Sequence, residues 1–132
     1  MNVLGIGTHI VECLRIAQMI ERHGELFVQR AYTSREIDFC SSRKAATQHY
    51  SALWAGKEAV LKALGTTWVR GISWRDVEIV NNDDGRPTVH VSGAVRELCR
   101  RQGIGQILIS VAHCRSHATA FVTTVRMSEG AD

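Results

Sequence analysis

The chain has 132 residues, 45% apolar and 22% charged, which fits one globular domain with a modest core. The net charge of +3 suits an anionic ligand or an acidic protein partner. Without a Lys/Arg cluster interleaved with aromatics, it excludes a reading as a nucleic-acid binder.

Residues 3–11, VLGIGTHIV, are β-branched and apolar with two glycines, which predicts a strand with a bulge or a close backbone approach. From Glu12 the period changes. Leu14, Ala17 and Ile20 recur at helical spacing up to a stop at Gly24, and Arg15 and Arg22 share a face of that helix. Thr33-Ser34-Arg35-Glu36 has capping-box spacing and opens a short helix through about Cys40. After a polar break over 41–44, a long helix runs from about Ala45 to Leu64, its buried face built on Ala46, Tyr50, Leu53, Val60 and Leu64. Residues 66–74 form an irregular connector with two tryptophans. Strands at 76–80 and 87–91 flank the NNDDG turn and make a hairpin. Ser92 caps a helix ending near Gly103, Ile107–Ala112 is a strand, 113–116 is a break, and 117–126 is the last strand. The expected fold is α+β, a small, mostly antiparallel sheet with packed helices. Residues 1–126 form a single domain and 127–132 a disordered tail.

Cys13, Cys40, Cys99 and Cys114 form no C-x-x-C pair, no secretory leader is recognisable, and no apolar run is long enough to cross a bilayer. The expectation is a cytoplasmic protein with reduced thiols and no membrane partner.

WAGKEAVLKALG, residues 54–65, carries the most chemistry. Glu58 and Lys62 lie four apart and share one helix face, with Lys57 beside them. A carboxylate next to an ammonium can hold a divalent cation and a phosphate side by side. It can equally be a surface ion pair worth a few tenths of a kcal/mol. Gly5-x-Gly7 lacks the third glycine and the following helix of a dinucleotide loop. Its glycines serve either tight packing or delivery of His9 and Glu12 to a site. His113 and His117 link two strands, so their spacing does not argue for zinc. No G-x-S-x-G surrounds Ser110.

Six segments, in order, resemble one family. GIGTHIVE (5–12), the arginine-bearing RIAQMIERHG from Arg15, WAGKEAVLKALGT (54–66), GISWRDVEIV (71–80), GRPTVHVSG (85–93) and SVAH (110–113) are similar to bacterial holo-[acyl-carrier-protein] synthase, the short 4′-phosphopantetheinyl transferase. The resemblance covers the chain to about residue 126. It implies an enzyme that transfers 4′-phosphopantetheine from coenzyme A to a serine of apo acyl carrier protein and releases 3′,5′-ADP. It also implies Mg²⁺ as cofactor, a homotrimer, and a place in fatty-acid or another carrier-protein pathway.

By the same resemblance Glu58 would hold the metal and help take the serine proton, and Lys62 would support the pyrophosphate. Lys44, Lys57, Gly65 and His113 would lie at the coenzyme A site. Arg15, Met19 and Arg22 would meet the acidic helix of the carrier protein.

Two positions depart from the pattern. Leu53 stands where the family usually has arginine, and His9 stands where it has a metal-binding aspartate. Three roles are open to His9: ligand to a metal such as Mn²⁺ that tolerates imidazole, general base, or cationic contact to pyrophosphate. The alternative reading is a non-catalytic or altered-metal homologue that binds carrier protein or coenzyme A.

Overall fold

The computed structural model describes residues 2–128. Its chain order is β1 (Val3–Glu12), α1 (Cys13–His23), α2 (Glu25–Ala31), α3 (Ser34–Ser41) and α4 (Ala46–Ala63). A 3₁₀ turn (Trp74–Asp76) leads into β2 (Val77–Asn81), β3 (Pro87–Val91), α5 (Gly93–Gln102), β4 (Ile104–His113) and β5 (His117–Arg126).

The α+β class holds, with the strands divided between two sheets. β1, β5 and β4 form an antiparallel three-stranded sheet with β5 in the centre, and β2 and β3 form the hairpin. On β5, Ala118, Ala120, Val122 and Thr124 are buried, and the alternate residues face away. α4 packs on the buried face. Its Ala55, Ala59 and Val60 are fully buried. Small side chains on both partners let helix and sheet approach closely. The glycines of β1 do the same: a Cβ at Gly5 would collide with the carbonyl of Ala63, and one at Gly7 with that of Ala59. Gly5-x-Gly7 is therefore a packing device that seats α4 on β1. The opposite sheet face exposes Ile6 (63%), Ile10 (66%), Phe121 (51%) and Leu108 (47%).

The structure corrects the sequence expectation in several places. The sequence pattern gives no sign of α2. Its ELFVQRA has three adjacent apolar residues, only the single i,i+4 pair Phe27 and Ala31 on its buried face, and no side-chain N-cap. Tertiary contact holds it, with Phe27 packed against Tyr32 and Trp54 at 6.1 and 5.7 Å between centroids. β4 starts at Ile104, three residues before the expected strand, and includes His113. Ser92 occupies the N-cap of α5 without a side-chain cap bond, and the Asp76 carboxylate lies over Gly93 instead. The capping box at Thr33 and Glu36 forms as expected. At the C-terminus the Met127 N–H donates to the Gly103 carbonyl at 2.8 Å, and residues 129–132 of the expected tail lie outside the described residues.

Candidate active site

β1 delivers His9 on its inner face, and α4 brings Glu58 and Lys62 to meet it. The Lys62 ammonium donates to the Thr8 carbonyl at 3.0 Å and contacts His9 Nδ1 at 3.1 Å. An ammonium has no lone pair, so Nδ1 accepts and the neutral ring carries its hydrogen on Nε2. Partial burial pulls the His9 pKa below the usual histidine value. The Lys62 charge adds to that pull, and the Glu58 carboxylate opposes it. Glu58 Oε1 accepts a hydrogen bond from Trp68 Nε1 at 3.0 Å. Trp68 stacks on Trp74 at 3.7 Å, and Trp74 stacks on Trp54 at 3.8 Å.

Of these groups His9, Glu58 and Trp54 line a cleft of about 490 Å³, together with Glu12, Arg15 and Met19, among others. A second groove of about 290 Å³ continues from Met19 and Trp54 past Leu26, Phe27 and Arg30. Arg15, Met19 and Arg22 are all exposed on α1, and Arg15 and Met19 line the first cleft while Arg22 does not.

Lys57 does not face this cleft, which corrects its reading as a coenzyme A contact. Its side chain is 0% exposed and forms an ion pair with Glu36 Oε1 at 2.9 Å. Its other donors go to the carbonyls of Trp74, at 2.9 Å, and Val77. An ammonium has three hydrogens, and all three are committed. Burial lowers the Lys57 pKa, and the Glu36 carboxylate opposes that pull. Glu36 also accepts from the backbone N–H of Thr33 and of Ile79, each at 2.8 Å. The pair thus joins α3, α4 and β2.

Lys44 and His113 lie elsewhere. Lys44 is exposed in the turn before α4. At 1.5 Å per helical residue that turn is about 20 Å from Glu58. His113 packs edge-on against His49, 5.1 Å between centroids. Both line a separate cleft of about 390 Å³ with Phe39, Leu53 and Arg86. One chain therefore does not bring Lys44 and His113 to Glu58. Gly65 ends α4 at φ +73° with open space where a side chain would be, so its demand is conformational.

The metal question turns on hydrogen bonding. No cluster of three His, Cys, Asp or Glu side chains able to hold a metal occurs among the described residues. His9 cannot ligate a metal and keep its bond to Lys62. Through Nδ1 it would compete for the same lone pair, and through Nε2 it would need its hydrogen on Nδ1. Mg²⁺ commonly takes one or two carboxylates and fills its other positions with water and substrate phosphate oxygens. Glu58, with one oxygen bound to Trp68 and the other unassigned, fits that pattern without His9.

Sequence reasoning passed over Trp68, His49 and Arg86. The chain has only three tryptophans, and all three join the stack beside Glu58, but no periodic pattern links positions 54, 68 and 74.

Residues 5–122 match the family model described as the 4′-phosphopantetheinyl transferase superfamily. A holo-[acyl-carrier-protein] synthase from Rhodopirellula baltica is 44% identical over 122 residues, 92% of this chain and 97% of the relative. The crystal structure of holo-[acyl-carrier-protein] synthase from Neisseria meningitidis superposes with TM-score 0.86 at 27% identity, covering 94% of this chain and 99% of that one. The Helicobacter pylori holo-[acyl-carrier-protein] synthase in complex with coenzyme A superposes with TM-score 0.80 at 26% identity, covering 90% and 98%.

Proposed function

The chain belongs to the 4′-phosphopantetheinyl transferase superfamily, and on that premise we propose that it is a holo-[acyl-carrier-protein] synthase. It transfers 4′-phosphopantetheine from coenzyme A to a serine of apo acyl carrier protein. The observation that carries this reading is that His9 and Glu58 line one cleft with Lys62 bonded to His9, inside a family match that spans residues 5–122.

The serine oxygen attacks the β-phosphorus of the coenzyme A pyrophosphate. A new phosphodiester forms, the bond to the bridging oxygen breaks, and 3′,5′-ADP leaves. Such a transfer needs charge neutralisation and in-line positioning more than covalent help. Glu58 would hold Mg²⁺, which neutralises charge on the pyrophosphate when bound. Lys62 turns from His9 to the incoming phosphate oxygens. That move frees Nδ1, the one lone pair of the neutral imidazole, to accept the serine proton. His9 is thus a base kept occupied until the anionic substrate draws Lys62 away.

The apolar outer sheet face, with Ile6, Ile10, Phe121 and Leu108, supports a homotrimer. Trimerisation would also supply Lys44 and His113 of one subunit to Glu58 of another. Arg15, Met19 and Arg22 receive the carrier protein. No described helix is long and apolar enough to cross a membrane, which is compatible with the proposed cytoplasmic site of action.

The test is intact-mass analysis of apo carrier proteins incubated with coenzyme A and the enzyme across a Mg²⁺ and Mn²⁺ series. Addition of one phosphopantetheine is the expected result. No addition with any carrier or metal would leave only a binding protein.

A further inference from the structure

Glu58 is the carboxylate on which the proposed chemistry depends, and a carboxylate on a helix surface ordinarily rotates freely. Here it does not stand alone. Trp54 is one turn before it on α4, Trp74 stacks on Trp54 at 22° between planes, and Trp68 stacks on Trp74 at 23°. The Trp68 indole N–H then returns to Glu58 at 3.0 Å. The contacts close a loop from α4 through three indoles and back to α4. Phe27 of α2 also packs on Trp54, with 5.7 Å between ring centroids. The connector after Gly65 is otherwise irregular, and this loop ties it to the helix alongside the Thr66 N–H bond to the Leu61 carbonyl and the Lys57 bond to the Trp74 carbonyl.

We propose that Trp68 is a positioning residue for Glu58. Its N–H fixes one carboxylate oxygen, the other is turned to the ligand, and the indole stack is the rigid mount that holds the donor in place. The direction is fixed, since the indole contributes only a donor, and a carboxylate acceptor makes the bond charge-assisted. Outer-shell partners of this kind commonly change metal affinity or activity by ten- to a hundredfold when removed. The inference rests on the reading of Glu58 as the metal-holding carboxylate.

The experiment titrates Mn²⁺ by electron paramagnetic resonance, with coenzyme A present and carrier protein absent, so no turnover enters the measurement. Trp68→Phe keeps a stacking ring and loses the N–H. Replacement of Trp68 by benzothienylalanine keeps the bicyclic shape and loses only the N–H. Both proteins should bind Mn²⁺ on the order of tenfold more weakly than the unaltered chain. In a separate transfer assay, saturating metal should recover most of the turnover. Near-UV circular dichroism should show the Trp54–Trp74 stack intact in both.

Unchanged Mn²⁺ affinity in the benzothienyl protein overturns the proposal, because ring packing alone would then account for Trp68. Unchanged affinity in both proteins overturns it as well. Failure of the underlying function looks different: the unaltered chain would itself bind no Mn²⁺ and modify no carrier.

Discussion

Lys57 and Lys62 leave α4 about 140° apart, since each helical residue turns about 100°. Lys57 enters the layer between α3 and β2, where its ammonium is 0% exposed and bound to Glu36 and two carbonyls. Lys62 ends beside His9, held only by the Thr8 carbonyl and His9 Nδ1. One cation has no donor to give a ligand, and the other can trade its partners for a phosphate. In sequence they look alike, in a run where either could be catalytic. The difference lies in which neighbours desolvate them, and those neighbours are more than fifteen residues away. A charged residue inside a motif can therefore support the fold, and its exposure and committed donors decide which role it has.

The largest expected contrast is between loss of chemistry and loss of fold. Glu58→Gln removes the charge at the open face and should reduce carrier modification on the order of a thousandfold, with the melting temperature nearly unchanged. Lys57→Met leaves Glu36 buried without its counter-charge and should cost about 3–5 kcal/mol in urea denaturation. The double change Lys57→Met with Glu36→Leu should regain part of that loss, because the uncompensated charge goes too. If Lys57→Met were as stable as the unaltered chain and inactive, the division between the two faces would be wrong.

Lys62→Met sharpens the open side. It removes the proposed partner of the pyrophosphate and the group that occupies His9, and carrier modification should fall on the order of a hundredfold. The sheet face gives a further effect. Phe121→Glu should dissociate the proposed trimer in sedimentation and abolish modification together. Mixing Glu58→Gln with His113→Ala protein should restore part of the activity if sites are shared between subunits. No restoration in exchanged mixtures would place a complete site in each chain.

His9→Asp should tighten Mg²⁺ binding by about tenfold, since it adds a hard oxygen ligand and a negative charge. No change would put His9 away from the metal.

The elements were readable where local signals were strong. Thr33 and Glu36 have capping-box spacing, NNDDG is a turn, and α4 has apolar residues along its length, so their places followed from neighbours in sequence. α2 is not readable because Leu26, Phe27 and Val28 are adjacent and Phe27 takes its place from Tyr32, just past the helix, and from Trp54, far along the chain. At the site, Glu58 and Lys62 could be read from their four-residue spacing. Lys57 could not, because burial is a tertiary property. Trp68 could not, because its bond to Glu58 depends on the path of a connector with no regular period.

The smallest expected effect belongs to the inner face and appears only in alkali. Cys40 is fully buried on α3, and burial, reinforced by the Glu36 carboxylate, pushes its thiol from an ordinary 9.0 up to about 12. Between those values the unfolded chain has released a proton that the folded chain retains. Its contribution to stability is therefore complete below about pH 9 and is lost as the pH rises toward 12. Cys99 is shifted the same way by burial. Tyr32 and Tyr50 are also raised, but their loss is centred higher, from 10.0 upward, so the interval from 9 to 10 separates the thiols from the phenols. Lys57 acts in the opposite sense. Its depressed ammonium favours the fold as the pH rises toward 10.5 and partly masks the decline. Urea midpoints measured from pH 8 to 10 should fall with pH in the unaltered chain and fall less steeply in Cys40→Ala, whatever the absolute cost of that change. Equal slopes would mean that the Cys40 thiol titrates in the fold as it does in the unfolded chain, and that the inner face is wetter than its contacts imply.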